Sequence, residues 1–231
     1  MLQSDVRPDN TKPMLRLALF LLVFPSLVFA QADTSALGSG ISEQTRPVAR
    51  SVNLPRTRWE HQSESPQWTR SALAAQKTHG IALPLSVPSD IADWCPTYEQ
   101  ADMAQRRAFW AGFLSALAKF ESTYKPGAVG GGGQWFGLLQ IQPSTARQYG
   151  CQAGSGQTLK NGAANVSCAI RIMAVTVPRD DAIAVKDGRW KGVAADWGPM
   201  RSDSKRRDMS VWLKRQTYCR PLSSVRPRKR P

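Results

Sequence analysis

The sequence predicts a mainly α-helical domain, and three segments support this prediction. Apolar residues recur at helical spacing from 109 to 120, from 166 to 177 and from 209 to 213. A chain of 231 residues is long enough for one domain with a buried core and extensions at its ends.

The first helical segment carries an acid where an apolar residue is expected. Its apolar face consists of Trp110, Phe113, Leu114, Leu117 and Phe120. At ~100° per residue, Glu121 falls near the middle of this face. A carboxylate in such a position either pairs with a cation or lies in a cleft with a raised pKa, as a general acid requires.

The residues after Glu121 favour the cleft. Pro126 disfavours helical geometry at Lys125, and the glycine run 130–133 forms a loop without side chains, so that backbone can approach a ligand. We also expect a short helix capped by Ser144 or Thr145 and ended by Gly150.

At this point the sequence resembles a known family. Glu121–Ser122, followed by G-L-L-Q-I-Q-P-S-T-A at 137–146, is similar to the E-S…G-L-M-Q-I-x-P-x-T-A signature of the soluble lytic transglycosylase (SLT) domain, glycoside hydrolase family 23. Asn165–Val166 resembles a third motif of this family. The similarity runs roughly from Ala111 to Val177 and implies a lysozyme-like fold, with no metal and no cofactor.

The resemblance also implies roles for individual residues. Glu121 is expected to cleave the bond between N-acetylmuramic acid and N-acetylglucosamine, first as acid and then as base, giving a 1,6-anhydro product. Gln140 and Asn165 are expected to line the cleft and bind the sugars, with a buried structural amide as the alternative for each. Ser122 either orients the carboxylate or simply ends the helix.

Three aromatic residues are candidates for stacking on sugar faces: Tyr124, Trp135 and Trp197. The alternative for each is a place in the core. No Asp or Glu occurs from Ser122 to Arg179, so a second carboxylate for hydrolysis is missing from this stretch.

Two residues depart from the family pattern. Gly130 lies near the position where the family commonly has a serine. Asp196 occupies the position where the family has a tyrosine that helps to hold the catalytic glutamate. Two alternatives therefore remain: a hydrolytic muramidase with Asp196 as second acid, and a weakly catalytic peptidoglycan-binding protein.

The chain is expected to divide into a signal peptide (1–30), a disordered linker (31–66), a catalytic domain (67–219) and a basic tail (220–231). The apolar run 17–30 is shorter than the roughly 20 residues of a membrane span, so we expect a signal peptide that directs export to the periplasm and is cleaved after Ala30 or Ala32. An uncleaved anchor is the alternative.

Four cysteines behind an export signal indicate two disulfides. Three pairings are open, and we favour Cys151 with Cys168 and Cys95 with Cys219. A zinc site is less consistent with the sequence, which has no C-x-x-C.

The net charge of +14 selects anionic partners. No nucleic-acid motif is present, whereas peptidoglycan carries carboxylates, so we expect glycan strands as the partner and no nucleic acid. The basic tail is expected to be a solvated end, with contact to the wall or a membrane surface as the alternative. The sequence does not indicate an oligomeric state.

Overall fold

The computed structural model describes residues 54–220, which form a helical domain with two short β-hairpins. The α-helices are α1 (Ser65–Ala75), α2 (Ala82–Leu85), α3 (Met103–Glu121), α4 (Pro143–Gln148), α5 (Gly156–Leu159), α6 (Gly162–Asp180), α7 (Val193–Asp196) and α8 (Asp203–Lys214). The strands are β1 (Val129–Gly130), β2 (Trp135–Phe136), β3 (Lys186–Asp187) and β4 (Arg189–Trp190). The mainly α-helical prediction is therefore confirmed.

The pairing of the strands is antiparallel in both hairpins, β1 with β2 and β3 with β4. Three 3₁₀ turns complete the described elements: Ile91–Asp93, Gly198–Arg201 and Thr217–Cys219. None of the described helices is long and apolar enough to cross a membrane. The predicted signal peptide, the first part of the linker and residues 221–231 of the tail lie outside the described residues.

Helix α3 runs through the middle of the core. It begins at Met103, because Asp102 and Gln105 form a reciprocal capping box there. Every residue from 109 to 118 is buried, so the single apolar face predicted from the sequence is too narrow. Small residues permit this close packing: a Cβ on Gly112 would lie 2.0 Å from the Tyr218 hydroxyl.

The packed domain begins further upstream than the predicted boundary at 67. The Trp59 side chain is fully buried, and its Nε1 donates a hydrogen bond to Thr69 Oγ1 at 2.9 Å. The Arg58 backbone N–H donates to Ser115 Oγ in α3 at 2.8 Å, and its guanidinium pairs with Asp208 in α8. One tryptophan thus anchors a polar segment whose composition predicted a linker.

Two disulfides fix distant parts of the domain. The long-range disulfide joins Cys95 to Cys219 across 124 residues, and the loop disulfide joins Cys151 to Cys168 across 17. These are the pairings favoured from the sequence. Helix α6, which carries Cys168, continues through Pro178 to Asp180, beyond the apolar spacing that ends at residue 177.

Helix α4 begins differently from its prediction. Pro143 is its first residue, and neither Ser144 nor Thr145 is the cap, because the preceding Gln142 occupies the N-cap position. After the C-cap Tyr149, Gly150 adopts φ +66°, consistent with the predicted glycine ending.

Candidate active site

Glu121 is the last residue of α3, at the point where the chain leaves the core. The two residues after Ser122, Thr123 and Tyr124, adopt φ angles of 53° and 61°. Left-handed backbone is rare for residues with a Cβ and is held in place only by surrounding structure. This turn directs the chain into the β1–β2 hairpin, which faces the Glu121 side chain across a cleft.

The cleft has a volume of about 440 Å³ and is open to solvent. It is formed by the end of α3, the β1–β2 hairpin and the segment that joins α7 to α8. The lining residues are Glu121, Gly130, Gly131, Trp135, Gln140, Asp196, Trp197, Gly198, Pro199 and Arg201.

The Glu121 carboxyl has the electrostatic character of a general acid. Its Oε1 is buried and has no hydrogen-bond partner among the described residues. Burial raises the pKa of Glu121 to about 7, and the positive charge of Lys205 opposes this rise. A carboxyl with this pKa holds its proton near neutrality and can also release it.

The glycine loop of the β1–β2 hairpin explains one departure from the family pattern. Gly131, Gly132 and Gly133 all have positive φ angles, which favour glycine. Gly130 has no such requirement, but a Cβ there would lie 2.3 Å from Gln140 Oε1. A serine at position 130 would therefore require the Gln140 side chain to move.

Gln140 lines the cleft, as the sequence predicts. Its Nε2 donates to Gly137 O at 2.8 Å, which fixes the side chain against the hairpin. Its Oε1 accepts no hydrogen bond within residues 54–220 and is free to accept one from a ligand in the cleft.

Asn165 does not line the cleft, contrary to the expectation for this residue. Its side chain is fully buried in α6, and its Oδ1 accepts a hydrogen bond from Leu139 N at 2.9 Å. Its Nδ2 donates to Phe136 O and to Leu159 O, both at 2.9 Å. The structure therefore agrees with the alternative of a structural amide, since Asn165 joins the Gly137–Gln140 turn to the end of α5.

The two tryptophans of the cleft differ in exposure. Trp135 is 44% exposed and presents its ring to the cleft, as sugar stacking would require. Trp197 is only 4% exposed, and its Nε1 donates to Leu139 O at 2.9 Å. Trp197 thus contributes mainly to holding the wall of the cleft.

Neither Ser122 nor Tyr124 is among the residues that line the cleft. The Ser122 hydroxyl donates to Ala118 O at 3.4 Å, within its own helix, so that it ends the helix and does not contact the carboxylate. Tyr124 packs edge-to-face on His61 at 4.9 Å, in the segment upstream of α1. Sugar stacking by Tyr124 stays a prediction, and of the two roles expected for Ser122 the geometry agrees with ending the helix.

Asp196 lies at the mouth of the cleft and also lines a smaller cavity of about 140 Å³ that adjoins it. The two spaces also share Trp135, Gln140 and Trp197, so they lie side by side, and we refer to both together as the groove. Partial burial raises the pKa of Asp196, while Arg179 opposes the rise. Asp196 is the second acid of the groove.

Some residues near Glu121 did not stand out in the sequence. Arg201 lines the cleft with its guanidinium anchored on Ala194 O and Ala195 O, and Lys205 places its charge near the carboxyl. The glycine-bearing stretch 192–200 was the available signal for this wall. Within residues 54–220, no cluster of His, Cys, Asp and Glu is suited to a metal ion.

Comparison with known proteins places this geometry in a family. The model of the transglycosylase SLT domain matches residues 100–186, which include the end of α3 and the cleft loops. No curated protein sequence matches the chain.

Solved structures of the protein Bd0314 DslA are similar over most of the described fold. Its wild-type form 2 has a TM-score of 0.66 and 31% sequence identity, and the match covers 72% of this chain and 98% of the DslA chain. Two further DslA structures each carry a glutamate-to-glutamine change, at different positions. The first has 29% sequence identity and a TM-score of 0.66, and the match covers 72% of this chain and 99% of the DslA chain. The second has 31% sequence identity and a TM-score of 0.65, and the match covers 70% of this chain and 96% of the DslA chain.

The match to a family model over the cleft and the similarity along almost the whole DslA chain lead to one conclusion. The chain belongs to the transglycosylase SLT domain family, it has the lysozyme-like fold, and its function is related to peptidoglycan.

Proposed function

We propose that the protein is a lytic transglycosylase that cleaves the bond between N-acetylmuramic acid and N-acetylglucosamine in peptidoglycan, with Glu121 as the catalytic residue. The observation that carries this proposal is the Glu121 carboxyl, which lines an open cleft and forms no hydrogen bond or ion pair with residues 54–220. Its Oε1 is buried, so the group is desolvated, and no side chain of the described fold occupies the carboxyl in place of a ligand.

In the first step, protonated Glu121 donates its proton to the glycosidic oxygen. The bond between this oxygen and C1 of the muramyl residue breaks, and positive charge develops at C1. A pKa of about 7 means that a large fraction of Glu121 is protonated at neutral pH, ready for this transfer. The polymer fragment beyond the broken bond then leaves with the proton.

In the second step, the C6 hydroxyl of the same muramyl residue attacks C1. Its proton passes to the Glu121 carboxylate, which restores the starting state and gives the 1,6-anhydro ring. The attacking oxygen belongs to the substrate, so the reaction is intramolecular and gains from proximity. One residue with an intermediate pKa serves both steps.

A second candidate function is supported by Asp196. Because its carboxylate lies in the same groove as Glu121, it could act on a water molecule, as the second acid of a hydrolytic muramidase does. The other residues that line the cleft are compatible with both reactions, but the products of the two reactions differ in mass by one water.

Mass spectrometry of a peptidoglycan digest tests both functions. We expect muropeptides that end in 1,6-anhydro-N-acetylmuramic acid, and none from the Glu121→Gln variant. If the main products are reducing-end muropeptides, and if the Asp196→Asn variant no longer releases them, the protein is a hydrolytic muramidase and the proposal is wrong. Sedimentation of the protein with sacculi without any soluble product would replace it with a binding protein.

We further propose that the protein acts after export to the periplasm. The two disulfides support this proposal, because such bonds persist in oxidising compartments. Fractionation of cells that express the full chain tests this proposal. We expect the protein in the periplasmic fraction, with a mass that corresponds to cleavage after Ala30 or Ala32.

A further inference from the structure

A second concave surface lies along α8. We name it the arginine pocket; it has a volume of about 420 Å³ and is lined mainly by Arg58, Arg207, Asp208, Val211, Trp212 and Arg215. It shares no lining residue with the catalytic cleft.

The charges of the arginine pocket are only partly balanced. Asp208 pairs with Arg58 and also accepts a hydrogen bond from Lys119 Nζ at 3.0 Å, so its charge is committed. The guanidinium groups of Arg207 and Arg215 form no hydrogen bond or ion pair with residues 54–220. Each guanidinium can bind a carboxylate through two parallel hydrogen bonds.

The pocket also has an apolar surface. Trp212 is half-buried, and the Arg58 guanidinium lies over its ring at 5.6 Å from the centroid. Val211, beside it, is 43% exposed. A ligand that combines carboxylates with short aliphatic groups, as a peptide does, matches this combination of guanidinium groups and apolar surface.

The position of the pocket connects it with the cleft. Arg201 lines the cleft, and α8 starts two residues later. Lys205, in its first turn, places its charge near Glu121. The helix rises ~1.5 Å per residue, so the pocket extends over roughly 17 Å from Ser204 to Arg215. The cleft and the pocket are therefore lined by successive parts of one continuous segment, 198–201 and 204–215.

We propose that the arginine pocket binds the carboxylates of the stem peptides of a peptidoglycan strand whose glycan occupies the cleft. The proposal rests on the proposed function, because it takes the same polymer as ligand. Arg207 and Arg215 supply the charge, and Trp212 with Val211 contacts the aliphatic part of the peptide.

Direct binding tests the pocket independently of catalysis. The probes are a disaccharide tetrapeptide purified from sacculi and the same disaccharide without its peptide, each titrated calorimetrically into the full chain. We expect Arg207→Ser/Arg215→Ser to bind the peptide-bearing probe about tenfold more weakly than the unchanged protein does, since two exposed ion pairs are lost. Affinity for the peptide-free probe should not change, and added salt should reduce the difference.

Two matched variants separate the pocket from net charge. Arg207→Lys/Arg215→Lys keeps both charges and should retain part of the affinity. Arg70→Ser/Lys77→Ser removes two exposed charges elsewhere and should behave like the unchanged protein. Equal affinity of the Arg207→Ser/Arg215→Ser variant and the unchanged protein for the peptide-bearing probe would overturn the proposal.

The same double variant distinguishes other ligands and the fate of the proposed function. Arginine-dependent binding to vesicles of anionic phospholipid, without binding of the peptide-bearing probe, would overturn the proposal in favour of a membrane surface. If the unchanged protein releases no anhydro product but binds the peptide-bearing probe through Arg207 and Arg215, the catalytic proposal fails and the pocket stands. If it releases that product without an arginine-dependent preference for the peptide, the pocket fails and the catalytic proposal stands.

Discussion

The raised pKa of Glu121 predicts a pH-dependent loss of stability. In the unfolded chain this carboxyl has an ordinary pKa of 4.5, and in the fold burial raises it to about 7. The folded state therefore holds the proton more tightly, so the stabilisation is fully present below pH 4.5 and is lost as pH rises through about 7. At 1.36 kcal/mol per pH unit, the difference amounts to about 3 kcal/mol.

Glu121→Gln removes this titration with little change in volume. The free energy of unfolding of the variant, relative to that of the unchanged protein, should be about 3 kcal/mol higher at pH 8 than at pH 4.5. This corresponds to roughly 6–12 °C in Tm for a domain of this size. Urea unfolding of both proteins at the two pH values measures the gain, provided that the m-values agree.

The exposed Glu99 provides a matched control for this measurement. Glu99→Gln should follow the unchanged protein at both pH values. If Glu121→Gln shows the same stability difference at pH 4.5 and pH 8, Glu121 is not held in a desolvated site, and the physical basis for its role as general acid is wrong.

Two further predictions concern the support of the cleft. Asn165→Ala should destabilise the domain by about 3 kcal/mol in urea unfolding, because it leaves the Leu139 N–H and the Leu159 carbonyl without partners and removes one of the two hydrogen bonds at Phe136 O. A loss below about 1 kcal/mol would contradict this role of Asn165. Replacing both cysteines of the long-range disulfide by serine should cost about 5 kcal/mol, against about 3 kcal/mol for the loop disulfide, since the longer loop loses more entropy in the unfolded chain. Equal decreases in the free energy of unfolding for the two disulfides would contradict the entropic reasoning. Thiol titration of the unreduced, denatured protein should find no free thiol in the described domain.

Much of the fold was predictable because local patterns dominate it. The helical spacing before Glu121 identified α3, and the position of the acid on that face indicated a cleft. The cysteine count indicated two disulfides. These features depend on residues close in sequence, or on chemistry that a single residue type carries.

The roles of the site residues were harder to predict, because they depend on contacts between distant segments. Asn165 and Gln140 are both amides in family motifs, yet one is fully buried and the other lines the cleft. The difference arises from the packing of α6 under the Gly137–Gln140 turn. The sequence likewise contains nothing that brings Lys205, on α8, near Glu121.

The anchored segment upstream of α1 affects how the domain can be shortened for recombinant work. A chain cut at the composition boundary, residue 67, would lose Trp59 from the core and Arg58 from its pairing with Asp208. Burying a large aromatic side chain is worth about 3 kcal/mol or more, a large fraction of the stability of a typical domain. A stable fragment should therefore begin upstream of Arg58, because one that begins after Trp59 would have a tryptophan-sized hole beside Trp68 of α1.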